Sequence, residues 1–292
     1  MSAAAAPVLV TLGDSVTLGI GDPEPGGGWR GWAPMLAGAL AAPGGGAVEL
    51  HNLAVSGALV RDVLGVQLPR AVGLRPALAT VLVGVNDTLR GRFDLAGAAD
   101  GLDRVIVGLR EAGALVLTCT LPDPGLMLGV PEVVRRPLAH RMRALNGVLE
   151  CLALRHGTVH VDLARHPALY DRSMWGVDRL HPGERGHRLL ARLFATAFAE
   201  HGVPLRALPD PEPDRPPAGA WAGARWMATK GTGWLWRRSR DLLPDLARLV
   251  LAEWRHRVRP GGPAPDGGLR RELAALLCAA CAARQGLGVV EP

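Results

Sequence analysis

Residues 8–19 have the sequence Val-Leu-Val-Thr-Leu-Gly-Asp-Ser-Val-Thr-Leu-Gly, an apolar run that leads directly into a short polar turn. The run at 8–12 has the composition of a buried strand, and the two glycines around the turn allow the chain to bend sharply toward a helix. Ser15 lies at this bend. The chain has only five serines, so composition alone does not explain this position. We interpret Ser15 as a candidate nucleophile.

Apolar runs of this kind recur along the first 200 residues, and segments with helical spacing separate them. The pattern predicts strands at 8–12, 47–54, 78–84, 114–119 and 158–162, and helices at 32–41, 59–73, 95–112, 135–156 and 183–201. Regular alternation of strand and helix is typical of an α/β protein in which helices cover both faces of a parallel sheet. We therefore predict a five-stranded parallel sheet.

The composition changes after about residue 203. Prolines are frequent at 203–220, where they remove the donors that a helix or a central strand needs. Beyond this stretch, five of the eight tryptophans lie among arginines, with amphipathic spacing at 242–254 and a last helix predicted at 269–284. We predict a main domain at 1–203, a linker or extended strap at 204–220 and a helical C-terminal extension at 221–292.

Three alternatives remain open for the C-terminal extension. It packs over the main domain, lies at a membrane surface with its arginines near anionic lipid, or associates with a partner or a second copy. No basic leader and no apolar stretch of about 18 residues is visible, so the sequence predicts a cytoplasmic protein. Its oligomeric state stays open.

Charge and cysteine usage argue against several classes of function. The net charge of +6 comes almost entirely from arginine, which indicates a GC-rich genome rather than a nucleic-acid site, because no basic stripe with interleaved aromatic residues is present in the first 200 residues. Cys278 and Cys281 have the spacing of a zinc ligand pair, but no second pair completes a site. The four cysteines fall in or beside apolar segments, and we interpret them as small apolar residues of the core; we predict no metal and no nucleic-acid partner.

Four motifs fall at places where the predicted fold brings them together. Ser15, Gly57 and Asn86 follow the first, second and third strands, and the carboxyl ends of parallel strands share one edge of the sheet. Asp178 and His181 lie three positions apart before the last helix of the main domain. A carboxylate at this spacing orients the imidazole and stabilises its cation, which is what a general base requires.

The chemistry of acyl transfer assigns a role to each of these residues. A serine hydroxyl is a weak nucleophile until a base takes its proton, so Ser15 needs His181, and His181 needs Asp178. The anionic tetrahedral intermediate then needs donors, and the backbone N–H groups of Ser15 and Gly57 with the side-chain amide of Asn86 are the candidates for this oxyanion hole.

Taken together, the motifs resemble those of the SGNH hydrolases, also called GDSL esterases and lipases. Their four blocks are matched in order by Ser15 in Gly-Asp-Ser, Gly57, Asn86 in Gly-Val-Asn-Asp and His181 in Asp-Arg-Leu-His, over residues 8 to about 200. The one departure in the first block is Val16, where the family has leucine. The resemblance implies a flavodoxin-like three-layer fold and a serine acyl-enzyme mechanism without metal or cofactor.

Several neighbouring residues receive structural interpretations instead. Asp14 and Asp87 are predicted to support their loops through local hydrogen bonds, and His187 is predicted to be a packed residue of the last helix. The apolar cluster at 126–130 either lines an acyl pocket, acts as a lid or packs against the core.

The sequence thus predicts a serine esterase or lipase-like acyl hydrolase whose substrate is a small ester or acyl compound. Two alternatives stay open: an acyltransferase with the same three residues, and a non-catalytic protein that binds a membrane or partner through its C-terminal extension.

Overall fold

The computed structural model describes residues 6–42, 45–176 and 178–214, together with positions 247, 248, 251, 254, 255, 268, 269 and 273–275. Its strands are β1 (Val8–Gly13), β2 (Glu49–Asn52), β3 (Leu78–Leu82), β4 (Leu115–Thr120) and β5 (Val159–Asp162). Its helices are α1 (Ser15–Leu18), α2 (Trp32–Ala39), α3 (Val60–Asp62), α4 (Leu68–Gly73), α5 (Val85–Thr88), α6 (Leu95–Glu111), α7 (Pro124–Leu128), α8 (Glu132–His156) and α9 (Glu184–Glu200). Most of the two predicted C-terminal helices, with Cys278 and Cys281, lies outside the described residues.

All five strands form one parallel sheet in the order β2-β1-β3-β4-β5. The predicted five-stranded parallel sheet is therefore confirmed. Strands β1, β3 and β4 are buried almost throughout, whereas the edge strands β2 and β5 are partly exposed. This order places the reversal of the chain between β1 and β3, and in open α/β sheets ligands bind beside such a reversal, at the carboxyl ends of the strands.

Helices cover both faces of the sheet. On one face α2 packs against α9, and an edge-to-face contact between Trp32 and Phe194, with ring centroids 5.0 Å apart, lies at their junction. On the other face α6 packs between α4 and α8. Leucine, valine and isoleucine side chains from both helical layers meet the sheet in one continuous core.

Two helices differ from their predicted outlines. The helix predicted at 59–73 is interrupted by a π-helical turn, Val63–Gln67, which places one extra residue between α3 and α4. Helix α8 begins at Glu132 instead of 135, directly after Pro131, although Pro137 lies inside it. Pro131 suits the start of a helix because the first N–H groups have no partner within it, whereas Pro137 is the sixth residue of α8 and removes one i→i−4 hydrogen bond.

Residues 204–214 run along the main domain as an extended strap. A short antiparallel bridge joins Leu205 to Leu40 at the end of α2. Further hydrogen bonds connect Ala41 with Pro204, Arg206 with Ala39, Arg188 with Asp210 and Arg192 with Pro209. This part of the predicted linker is thus attached to α2 and α9, while its remainder, 215–220, lies outside the described residues.

Two described positions of the C-terminal extension contact the main domain. Leu269 is buried and Leu273 packs against the core beside Gly147 of α8. These contacts support the first of the three alternatives for the extension at these positions. Among the described helices, none has the length and apolar character that a membrane crossing requires.

Candidate active site

Ser15 is the first residue of α1, at the carboxyl end of β1. Gly13 has a φ of +158°, and a Cβ atom there would lie 2.4 Å from the carbonyl oxygen of Leu82, so only glycine fits this bend. Asp14 caps the turn by accepting a hydrogen bond from the Val16 N–H at 3.1 Å. The Ser15 hydroxyl is thereby fixed at the edge of the sheet, with the residue 6% exposed.

The predicted partners of Ser15 lie within hydrogen-bond reach of it. The Nε2 atom of His181 is 2.9 Å from Oγ of Ser15, and its Nδ1 atom is 2.6 Å from Oδ2 of Asp178. Because a carboxylate only accepts, Nδ1 carries the proton and Nε2 is left to accept from the serine hydroxyl. The three side chains form a continuous hydrogen-bonded chain.

Asp178 is held as an anion beside the imidazole. Burial acts to raise its pKa, but the hydrogen bond and charge of His181 and the backbone N–H groups of Leu180 and His181 outweigh this and hold the pKa below its ordinary value. Asp178 thus presents a negative charge to Nδ1 of His181.

The loop that carries His181 is tied to the rest of the site by its backbone. Gly176 donates to the carbonyl of His181 at 2.8 Å, and Gly183 donates to the carbonyl of Met174 at 2.9 Å. The loop after α1 packs against it so closely that a Cβ atom on Gly21 would lie 2.0 Å from the carbonyl oxygen of Pro182. Close packing of two backbones therefore determines how far His181 is from Ser15.

Asn86 connects two of the predicted motifs. It lies in α5, and its Nδ2 group donates to Oδ2 of Asp14 at 3.0 Å and to the carbonyl of Ala58 at 3.1 Å. Two acceptors at these distances fix the orientation of the amide. The side chain thus joins the turn at Ser15 to the loop after β2, and both of its N–H bonds point to acceptors of the protein.

Gly57 lies in this loop after β2, with a φ of +82° that favours glycine. Within the described part of the chain, the backbone N–H groups of Ser15 and Gly57 have no hydrogen-bond partner. Asp87 accepts from the N–H of Val60 at 3.2 Å, and burial raises its pKa to about 6. Asp87 therefore supports the start of α3 across distant segments, in addition to the hydrogen bond that it accepts from its own backbone.

An apolar cavity opens beside Ser15 and His181. Its walls come from the ends of β3 and β4, from α5 and α7, and from the loops on either side of His181. Its lining includes Leu82, Val85, Leu89, Leu121, Pro124, Met127, Leu163, Leu169, Trp175 and Leu190. The cavity has a volume of about 70 Å³, which at about 10–15 Å³ for a buried water corresponds to on the order of five water-sized groups.

The cluster at 126–130 contributes unequally to this cavity. Met127 lines it, whereas Leu126, its neighbour in α7, is 48% exposed. His187 lies outside the cavity: it is completely buried in α9 and donates from Nε2 to the carbonyl of Ile20 at 3.1 Å. His187 is therefore a packed residue of this helix, as the sequence predicted.

Sequence reasoning missed two residues at this edge of the sheet, Gln67 and Asn146. Each uses both ends of its side-chain amide on the backbone of one residue, Gln67 on Gly13 and Asn146 on Leu121, at 2.8 Å throughout. The signal was present in the composition, since the chain has only three asparagines and two glutamines. Among the described residues, no group of three or more His, Cys, Asp and Glu side chains has an arrangement that holds a metal ion.

A family model described as the GDSL-like lipase/acylhydrolase family matches residues 11–189. A GDSL-like esterase of Mycobacterium tuberculosis is 29% identical over 202 residues, which are 66% of this chain and 62% of that protein. The match therefore spans less than two thirds of the length of this relative.

Similar folds occur among solved structures. An acetylxylan esterase from Geobacillus stearothermophilus aligns with a TM-score of 0.53 at 21% identity, over 68% of this chain and 96% of that one. A lipase/acylhydrolase from Enterococcus faecalis aligns with a TM-score of 0.53 at 19% identity, over 70% of this chain and 98% of that one. At these identities the alignments establish the fold alone.

Proposed function

The chain belongs to the GDSL-like lipase/acylhydrolase family, and from this premise we propose that it hydrolyses carboxylic esters through an acyl-enzyme intermediate on Ser15. One observation carries the proposal. The hydrogen-bonded chain from Asp178 through His181 to Ser15, with distances of 2.6 and 2.9 Å, ends at the entrance of an apolar cavity.

In the first step Oγ of Ser15 attacks the ester carbonyl while Nε2 of His181 takes the hydroxyl proton. The imidazolium is stabilised by Asp178, and it returns this proton to the alcohol as the C–O bond of the tetrahedral intermediate breaks. Water then attacks the acyl-enzyme with His181 as base again. The acid leaves, and Ser15 regains its proton.

The negative charge on the tetrahedral intermediate needs donors close to Ser15. The backbone N–H groups of Ser15 and Gly57 are available for it. For Asn86 to contribute, one of its hydrogens must leave its present acceptor, and the neutral carbonyl of Ala58 is the acceptor to exchange. A hydrogen bond to an oxyanion is roughly twice as strong as one to a neutral carbonyl, so the exchange is favourable as charge develops.

The cavity supports an unbranched acyl chain as the group that Ser15 receives. Apart from Asp14, Ser15, Asn86, Trp175 and His181, its lining is made of leucine, valine, proline and methionine side chains, which offer no partners for sugar hydroxyls. Burying each methylene of a chain there contributes about 0.8 kcal/mol. We therefore propose esters of short to medium-length fatty acids as the substrate class.

The test is hydrolysis of nitrophenyl esters from acetate to long chains by the wild-type protein and by Ser15→Ala. Ser173→Ala is the matched control, because Ser173 is an exposed serine on the 3₁₀ turn Arg172–Met174. We expect turnover that disappears in Ser15→Ala, persists in Ser173→Ala and peaks at an intermediate chain length. Circular dichroism and thermal unfolding establish that both variants are folded.

Two results would contradict the proposal. If folded Ser15→Ala hydrolysed the esters at the wild-type rate, another group would perform the reaction. The second test adds an alcohol or amine to the reaction. If Ser15-dependent turnover then gave a new ester or amide in preference to the free acid, the protein would be an acyltransferase instead.

A further inference from the structure

Gln67 is a polar side chain buried in the core directly behind the turn at Ser15. The residue is 1% exposed, and its amide makes two hydrogen bonds to one backbone residue. Its Oε1 accepts from the N–H of Gly13, and its Nε2 donates to the carbonyl of Gly13, both at 2.8 Å. Gly13 is separated from Ser15 by Asp14 alone, so this amide determines where the turn begins.

The backbone of Gly13 needs such a partner because of where β2 ends. The pairing of β1 with β2 extends only to Thr11 and Asn52, two residues before Gly13. Beyond this pairing, Val55 still donates to the carbonyl of Gly13 at 3.2 Å. The N–H of Gly13 faces the same side of β1, where no residue of β2 accepts from it. Gln67 takes the place of the missing strand there, because a buried N–H without an acceptor destabilises the folded state.

The backbone around Gln67 is irregular at this point. Gln67 is the last residue of the π-helical turn Val63–Gln67, whose single extra residue displaces the side chains that follow it relative to an α-helix. Such turns cost stability and are frequent at functional sites. Val63 and Gln67 are its two buried residues, whereas Gly65 and Val66 face solvent. The turn therefore directs one polar group into the core.

Asn146 of α8 forms a second contact of the same kind, at a different part of the site. Its Oδ1 accepts from the N–H of Leu121 and its Nδ2 donates to the carbonyl of Leu121, both at 2.8 Å. Leu121 is the first residue after β4 and lines the apolar cavity. The same pair of bonds thus holds the nucleophile turn in one case and the cavity wall in the other.

We propose that Gln67 is a positioning residue for Ser15 and that Asn146 is a positioning residue for the acyl cavity. Neither side chain touches the reacting atoms. Gln67 acts through Gly13 on the distance between Ser15 and His181, and Asn146 acts through Leu121 on the shape of the cavity. This inference rests on the proposed ester hydrolysis.

The experiment compares Gln67→Met with Asn146→Leu, two replacements of nearly equal shape that each remove both hydrogen bonds. Free energies of unfolding are measured first, so that the variants are compared at known stability. For Gln67→Met we expect kcat for a medium-chain ester to fall about 10–100-fold with KM within about 3-fold, because a shift of about 1 Å in a reacting group costs on the order of 10² in rate.

For Asn146→Leu we expect the larger effect on KM and the smaller one on kcat. The KM for medium-chain esters rises several-fold and the preferred chain length changes, while kcat for acetate stays near the wild-type value. A merely structural role of both amides would lower the amount of folded enzyme in each variant and leave both kinetic constants per folded molecule unchanged.

Gln67→Leu provides a second variant that also removes both hydrogen bonds and adds no charge to the core. Its kcat is expected to fall as in Gln67→Met, and it carries the test alone if Gln67→Met does not fold. Wild-type kcat in folded Gln67→Met, or in Gln67→Leu where that variant is the only one to fold, overturns the role of Gln67. Equal losses of kcat in Gln67→Met and Asn146→Leu overturn the division between them.

Failure of the proposed function gives a different result. If the wild-type protein shows no Ser15-dependent turnover, the proposed function and this inference are both wrong. If the wild type is active and the variants have unchanged kcat and KM, this inference alone is wrong.

Discussion

His187 donates a hydrogen bond from Nε2 to the backbone carbonyl of Ile20, 3.1 Å away, and so joins α9 to the loop that follows Ser15. The ring is completely buried, and burial lowers its pKa to about 4. Its Nδ1 has no hydrogen-bond partner among the described residues. His187 therefore stays neutral in the folded protein at neutral pH, and its protonation in acid works against folding.

The contribution of His187 to stability is predicted to be lost as the pH falls from about 6.5 to about 4, while Asp87, whose pKa is raised to about 6, contributes with the opposite sign. In this range the unfolded chain takes up a proton on His187 that the folded protein does not, so protons favour the unfolded state. With folded and unfolded pKa values of about 4 and 6.5, the contribution is about 3 kcal/mol. Urea unfolding of the wild type and of His187→Gln across this pH range measures it.

In His187→Gln the amide still donates to Ile20, but the titration is absent. The difference in unfolding free energy between the two proteins is expected to change by about this amount between pH 7 and pH 4. A difference that stays constant with pH would mean that His187 titrates alike in the folded and unfolded states.

Asn86→Ala is predicted to lower kcat on the order of 10²-fold and to leave KM within a few-fold. The substitution removes the proposed donor to the oxyanion, an interaction made only in the transition state. It also leaves Asp14 and the carbonyl of Ala58 without this donor, so the free energy of unfolding falls as well. Steady-state kinetics per folded molecule separates the two effects. A raised KM with unchanged kcat would place Asn86 in ground-state binding instead.

Gly21→Ala is predicted to lower both kcat and stability, because the new Cβ atom would lie 2.0 Å from the carbonyl oxygen of Pro182. Gly27→Ala is the matched control. Gly27 lies in the same loop with a similarly positive φ, +92° against +107°, but has no atom within 4 Å of its Cβ position. The control carries only the backbone strain, which is about 1–2 kcal/mol. Equal effects of the two variants on kcat would show that contact with the His181 loop is irrelevant.

Met127→Ala is predicted to change chain-length preference. Met127 lines the cavity, so its truncation removes contacts with the acyl chain and lowers kcat/KM for medium-chain esters several-fold, with little change for acetate. Leu126→Ala alters the exposed neighbour in the same helical turn and is expected to leave the profile unchanged. Identical profiles in both variants would mean that the acyl chain binds elsewhere.

Much of the architecture was predictable from local pattern. The five apolar runs become β1 to β5, and the edge strands β2 and β5 are shorter and less buried than the central ones. The handedness of strand-helix-strand connections limits how consecutive parallel strands are placed, but the order β2-β1-β3-β4-β5 is established only by the structure. The prediction of one uninterrupted helix at 59–73 was wrong. The π-helical turn within it depends on a partner, Gly13, that is distant in sequence.

The site was predictable to the same extent. Scarcity identified Ser15 and Asn86, since serine and asparagine are rare in this chain, and spacing identified Asp178 and His181. The same scarcity applied to Gln67 and Asn146, yet both lie in helical segments that gave no reason to expect contact with a strand end. Their significance depends on which backbone groups are left unpaired when neighbouring strands end at different lengths.

The sequence by itself determined the class of fold, the family and which residues are proposed for acyl transfer, because these follow from periodicity, residue type and short motifs. Only the tertiary structure decided the distances: Ser15 lies 2.9 Å from His181 across 166 positions, Asn86 uses both of its N–H bonds on the protein, and Met127 rather than Leu126 faces the cavity. The physical reason is that hydrogen bonds and close packing act between atoms adjacent in space, and a linear pattern carries no measure of that adjacency.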